Sequence, residues 1–318
     1  MTVIVRRPGP PLSGLVRAIV YRAGEQPQTS VEKILPGPET SLWVNLNRDA
    51  FRSFASPGQI SAGQGNRVPG AMLAGPTSRA CLIEFEQGHA HVSVTFALGA
   101  ASRFAGPSLT EARDELVPLE TLWGRSGACL RERLLEARTP AGALDVMETV
   151  LVRQLTGTLG PDPAVVAATS ALSRGAPVGE VSRDLGLLPR TLRRRFTAQV
   201  GLTPKRFARV QRLQRLVRDL DGHADADWAA AAARHGYADQ PHLADEFRDL
   251  AGVTPGEYLR SRVNGPNHLR PTPGPRTPGL QPTSGVVVVA ACVDEAGAAG
   301  QRQSGWSRAA ASSARKRS

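Results

Sequence analysis

The sequence predicts an α+β protein: an N-terminal β-rich, barrel-like domain carrying helices, followed by an all-α domain of two helix-turn-helix units joined by a linker helix. Three observations lead there. Residues 31–96 hold short apolar runs separated by Pro, Gly, Ser and Asn, the signature of strands and turns. Beyond residue 103 the apolar positions recur at helical spacing. Further on, one pattern is written twice, 51 residues apart. The expected division is 1–157, 163–262 and a tail at 263–318.

Strands are predicted at 42–46, 79–85 and 91–96, the last alternating His91, Ser93, Thr95 against Val92, Val94, Phe96. Leu130, Leu134 and Leu135, then Leu144, Met147, Val150, Leu151 and Leu155, mark helices that close the first domain. Gly157, Gly160, Pro161 and Pro163 indicate a linker. From residue 264 the chain is rich in Pro, Gly and Ser, ends on Arg315, Lys316 and Arg317, and is expected to be disordered. Within it, 286–291 is an apolar run too short to span a membrane.

Charge is unevenly placed. Residues 1–177 carry 17 basic and 15 acidic side chains, 178–218 carry 11 and 2, 219–262 carry 4 and 9, and 263–318 carry 7 and 2. The compact +9 block at 178–218 reads as a polyanion-binding footprint. Cys81, Cys129 and Cys292 are odd in number and far apart, which argues against a disulfide framework or a four-thiolate zinc site. Arg6, Arg7 and the prolines after them interrupt any secretory signal, so the expected location is the cytoplasm, away from membranes.

The repeat is specific. Leu192, Phe196, Gly201, Thr203 and Pro204 recur as Leu243, Phe247, Gly252, Thr254 and Pro255, and Gly186 recurs as Gly236 with a shift of 50. Each copy reads as a helix, a glycine turn and a second helix anchored by a Leu and a Phe four residues apart. Val181 and Leu185 supply the buried face of the first helix of the first copy. With Leu192 facing the core and about 100° per residue, Arg190 and Arg194 point outward, flanked by Thr191 and Arg193. Arginine matches guanine O6 and N7, and also phosphate. The second copy directs Gln240, Pro241 and Asp245 outward with His242 on the flank, and Gln240 suits adenine. Between the copies Phe207, Val210, Leu213, Val217 and Leu220 form one side of a helix, with Lys205, Arg206, Arg209, Arg212, Arg215 and Arg218 around the rest. If rigid, that helix presents both units to successive major-groove segments ~34 Å apart.

These residues resemble the AraC/XylS family of bacterial regulators across 163–262. The densest match runs from Gly236, Tyr237, Ala238, Asp239, Gln240, Pro241, His242 and Leu243 through Phe247, Gly252, Val253, Thr254, Pro255 and Tyr258. The first unit matches as Leu185, Gly186 and Leu187 with 190–196. The resemblance implies that Arg190, Arg193, Arg194, Gln240, Pro241, His242 and Asp245 occupy base- or backbone-contacting positions. Leu188 stands where the family usually places a capping serine, and Asp245 where many relatives carry a basic or neutral residue. More loosely, the N-terminal region from Pro10 to Gly124 is similar to sensor domains found ahead of AraC-like domains.

The expected function is therefore sequence-specific DNA binding in transcription regulation, with a small-molecule effector or another signal received by the N-terminal domain. Double-stranded DNA is the expected partner; RNA polymerase and a second copy of the chain are further candidates, and activation is favoured by the resemblance. Two alternatives stand beside it: an enzyme on the β-rich domain with an accessory nucleic-acid module, and nonspecific DNA packaging. No catalytic residue, cofactor or metal site is expected. His89 and His91 have the form of half a cupin metal site, but the sequence offers no further ligands nearby.

Overall fold

A computed structural model of the chain describes residues 2–24, 30–85, 90–105, 109–156, 161–263 and 265–271. The N-terminal part is built from β1 (Thr2–Arg6), β2 (Val16–Ala23), β3 (Ser30–Ile34), β4 (Ser41–Asn45), β5 (Ala50–Phe54), α1 (Pro57–Ser61), β6 (Asn66–Pro69), β7 (Ala71–Ala74), β8 (Cys81–Phe85), β9 (Ala90–Phe96), α2 (Ser102–Ala105) and β10 (Leu116–Pro118). Helices α3 (Leu119–Trp123), α4 (Arg125–Ala128), α5 (Leu130–Leu135) and α6 (Pro140–Gln154) follow. The strands form two antiparallel sheets, in the orders β1-β2-β9-β4-β7-β10 and β3-β8-β5-β6, the second extended by a late strand described below. Both sheets are open, so the barrel-like expectation resolves into two layers, with Phe51 and Val68 of one packed against Met72 of the other.

Helix α6 starts where Thr139 accepts from the Gly142 N–H and Pro140 takes the first turn, a favourable start on both counts. Its Leu144, Met147, Val150 and Leu151 bury against Ile19, Leu42, Val94 and Phe96 of the larger sheet. Trp123 is buried there and donates through its indole N–H to the Phe104 carbonyl at 2.7 Å.

The helical part comprises α7 (Pro163–Ser173), α8 (Val178–Asp184), α9 (Pro189–Val200), α10 (Pro204–Asp219), α11 (Trp228–His235), α12 (Gln240–Ala251) and α13 (Pro255–Ser261). Helices α9 and α12 are 12 residues each and sit 51 apart, so the sequence repeat is a structural one. Two cores result. Val165, Ala168, Leu172, Val181, Leu192 and Phe196 fill the first unit, while Leu243, Phe247, Leu250 and Tyr258 fill the second. Helix α10 belongs to both: Phe207 packs in the first core, and Val210, Leu213, Leu216 and Val217 pack in the second. One continuous helix therefore couples the two units through apolar burial at each end.

The chain does not end its order at residue 262. Residues 268 and 269 form β11 (His268–Leu269), which pairs antiparallel with β3 and extends the smaller sheet. Here the expectation of disorder from 263 onward is corrected for 265–271. Leu269 is fully buried in the second unit's core, and buried His268 meets buried Glu32 at 2.6 Å, so tertiary contacts offset the ordering entropy that the composition suggested would go unpaid. The rest of the tail, including 286–291, Cys292 and Arg315 to Arg317, lies outside the described residues, as do His89, Gly157 and Gly160.

Candidate nucleic-acid interface

In the first unit α8 ends at Asp184 with half-buried Leu185 as its C-cap, and Gly186 turns the chain with a φ of 61°, a conformation glycine adopts without side-chain strain. Pro189 opens α9, but Leu188 before it makes no side-chain cap. Leu192 and Phe196 are buried, so the helix cannot rotate without uncovering them. Arg190, Arg193 and Arg194 are exposed, and Thr191 is half-buried. Among the described residues none of these three arginines is ion-paired, whereas Arg195 lies 3.5 Å from Asp162.

The second unit is built alike with different chemistry. Gly236 caps α11 in the left-handed region, φ 74°. Asp239 caps α12 by accepting the His242 N–H at 2.8 Å, and Gln240, Pro241 and Asp245 are exposed. The His242 ring turns back on its own helix start: Nδ1 accepts the Ala238 N–H at 3.1 Å, and the ring stands edge-on to Tyr237. Asp245 has Arg248 at 3.8 Å one turn along. Pro255 is buried behind Thr254, whose hydroxyl and backbone form a reciprocal cap with Glu257.

The +9 footprint contracts in the folded molecule. Arg209 and Arg212 of α10 converge on buried Glu246 of α12 at 2.8 and 2.7 Å, while Arg206 and Arg209 take Asp249 at 3.2 and 2.8 Å. Arg212 also lies over the Tyr237 ring, and Arg215 donates to the Ser173 carbonyl at 2.6 Å. The acidic segment therefore neutralises Arg206, Arg209 and Arg212, three of the six basic side chains of the linker helix. Burial works to raise the Asp249 carboxyl, yet hydrogen bonds from Arg209 and Arg206 hold it below the usual carboxylate range. Burial chiefly, with Glu246 close by, pushes the Tyr237 hydroxyl up. The outward stripe of α9 keeps Arg190, Arg193 and Arg194 exposed and without ion partners among the described residues, and Lys205 at the start of α10 is exposed likewise.

The β-rich part abuts both repeats. The Leu109 N–H donates to the Ala198 carbonyl at 3.0 Å, and the Ala80 N–H to the Leu250 carbonyl at 2.9 Å, so the C-terminal end of each 12-residue helix is closed by a backbone donor from the β-rich domain. Gly201 permits this approach; with φ 79°, a Cβ there would meet Pro76 at 2.6 Å. Gln214 donates to the Pro36 carbonyl at 2.7 Å, and Arg206 donates to the Ser78 carbonyl.

Two hollows flank this joint. One, of about 570 Å³, is lined by Arg79, Ala80, Cys81, Asp114, Leu202 and Arg206 among others; burial pushes the Cys81 thiol up to about 11, so it stays protonated at neutral pH. The other runs along α9, where Thr110 and Arg113 of the N-terminal domain join Arg190, Arg193, Arg194 and Thr197. No sequence signal pointed to Thr110 or Arg113, which lie some 80 positions from α9. Among the described residues no three His, Cys, Asp or Glu side chains gather to hold a metal ion, and buried His91 packs its ring 4.8 Å from Trp43.

Residues 181–261 match a family model described as a helix-turn-helix domain, and residues 5–118 match a domain of unknown function, DUF6597. No curated protein sequence matches the chain. Among solved structures, ToxT from Vibrio cholerae is 11% identical over 76% of this chain and 98% of its own, with a TM-score of 0.42. ToxT bound to (E)-4-(8-methylnaphthalen-1-yl)but-3-enoic acid gives 11%, 76%, 98% and 0.41. Unsaturated fatty acid bound wild-type ToxT gives 10%, 76%, 94% and 0.38.

Proposed function

We propose that the chain is a DNA-binding transcription regulator of the AraC type that reads a specific operator chiefly through α9, a reading supported by the match of residues 181–261 to a helix-turn-helix family model. The observation that carries this is the outward stripe of Arg190, Arg193 and Arg194, exposed and without ion partners among the described residues, on a helix locked by Leu192 and Phe196. Gln240 and Pro241, with Thr191, refine the choice of site, and Asp245 excludes phosphate from its part of α12. The inward turn of the His242 ring makes it a helix-start residue first and a DNA contact second. Selection on random duplexes at fixed salt tests the reading: a single enriched motif is expected, and recovery of no motif rejects it in favour of nonspecific binding. On the selected duplex, Arg194→Ala is expected to cost about 1 to 3 kcal/mol and relax one base position.

The N-terminal domain, in this proposal, receives a small-molecule signal. The 570 Å³ hollow supports that role, because Arg79, Asp114 and Arg206 meet there at the seam between the β-rich domain and the start of the linker helix. A ligand in it touches both domains at once. RNA polymerase contact, homodimer formation and a cytoplasmic location belong to the same proposal through the family resemblance. No helix among the described residues is long and apolar enough to cross a membrane.

A further inference from the structure

We propose that the N-terminal domain contributes directly to DNA binding, with Arg113 of the loop at 109–114 taking a backbone phosphate beside the stretch read by α9. The inference rests on the DNA-binding reading of that helix. Three observations combine. Arg113 and Thr110 line the same groove as Arg190, Arg193, Arg194 and Thr197, so four arginines share one solvent-open channel. That concentration of positive charge fits a polyanion running along the channel. The loop is also held in place: Leu109 N–H is bonded to Ala198 O, Thr110 Oγ1 donates to Thr197 O at 3.3 Å, and the Asp114 carboxylate takes both the Ser78 N–H at 2.5 Å and the Ser78 hydroxyl at 2.8 Å.

Charge within the loop does not cancel the site. Asp114 lies 3.7 Å from Arg113 Nε and offsets part of that charge, but neither Asp114 nor Glu111 lines the groove, where Arg190, Arg193 and Arg194 add three further cations. The Arg113 side chain is nearly half exposed, and its terminal nitrogens make no hydrogen bond among the described residues. The loop sits at the C-terminal end of α9, where Ala198 and Thr203 complete the lining, while base-reading positions of such a helix lie toward its N-terminus. Arg113 is therefore placed to grip the strand as it leaves the major groove, a contact that adds affinity without sequence preference.

The test is a salt titration of the full chain by fluorescence anisotropy, comparing wild type, Arg113→Ala, Arg113→Lys and Arg194→Ala on the selected duplex and on a scrambled one. Arg113→Ala is expected to weaken both duplexes by the same factor, roughly three- to tenfold, and to make the slope of log K against log salt shallower by about 1. Arg113→Lys is expected to keep the slope. Arg194→Ala, by contrast, loses discrimination between the two duplexes. Unchanged affinity and slope in Arg113→Ala overturn the proposal, and so does tighter binding, which makes the loop a shield over α9. If the wild type binds no duplex at all, the underlying DNA-binding reading falls first, whereas normal wild-type binding with an inert Arg113 removes this inference alone. Equal thermal midpoints for the exposed-site variants keep the comparison free of folding effects.

Discussion

Glu246 is a carboxylate buried between two guanidinium groups, and its worth lies in what its removal strands. Arg209 and Arg212 both bond to it, and Arg212 is further held against Tyr237 and the Gly236 carbonyl. Glu246→Ala leaves Arg212 without a carboxylate and Arg209 with Asp249 alone, and because both guanidiniums keep some solvent it is expected to cost about 2 to 3 kcal/mol in denaturant unfolding of the full chain. A cost below about 1 kcal/mol means that the pair behaves as a solvated one. The sequence showed an acidic stretch following a basic one but not that they meet. Which charges pair depends on how α10 crosses α12, a tertiary quantity that spacing along either helix does not encode. Gly201 illustrates the same limit. The repeat marks it as a turn glycine, yet the close approach of Pro76, which also excludes a side chain, comes from a loop more than a hundred residues away.

At the scale of the element, the two repeats differ most at their helix starts. Asp239 accepts an N–H from its own helix, whereas Leu188, at the equivalent position, is 60% exposed and leaves the first-turn donors of α9 without a side-chain cap. Leu188→Ser is expected to stabilise the protein by roughly 0.5 to 1 kcal/mol, read as a higher denaturant midpoint with unchanged slope. A lower midpoint indicates that the exposed leucine makes a contact of its own. This contrast was legible in the sequence, because a cap is a local matter of one side chain and one N–H. Strands at 42–46, 79–85 and 91–96 were legible for a similar reason, and they fall on β4, β8 and β9. Their order in the sheets was not. Val92 pairs with Tyr21 and Val44, partners set by long-range packing rather than by alternation within any one run. Strand β11 gave still less sign of itself, since two residues in a Pro- and Gly-rich stretch acquire order only from the surfaces they cover.

For the whole molecule, three held carboxyls tie the stability of the double helix-turn-helix to acid. His235, then Arg234, hydrogen-bond Asp219; the Thr254 N–H and hydroxyl hold Glu257; Arg209 and Arg206 hold Asp249 against its burial. All three carboxyls titrate below their ordinary values, so the folded state binds fewer protons than the unfolded chain. Their contribution is complete above the ordinary carboxylate range and is lost as pH falls through the lower, folded values. The denaturant midpoint is expected to drop on acidification below about pH 4, with little change from these groups near neutrality. A midpoint that holds steady down to about pH 3 assigns the acid response elsewhere. The strap at 265–271 carries a different consequence. Having passed through both repeats, the chain returns to the β-rich domain, where Asn267 O accepts the Leu35 N–H and β11 covers the border of β3. A fragment cut at 157 to isolate sensing therefore bares Leu35, Glu32 and an open strand edge together, while one spanning 163–262 to isolate DNA binding loses Leu35 and Leu269 from its second core. Poor solubility in such a fragment reports the wound left by the scissors, and a unit whose behaviour can be assigned to either half keeps the strap through residue 271.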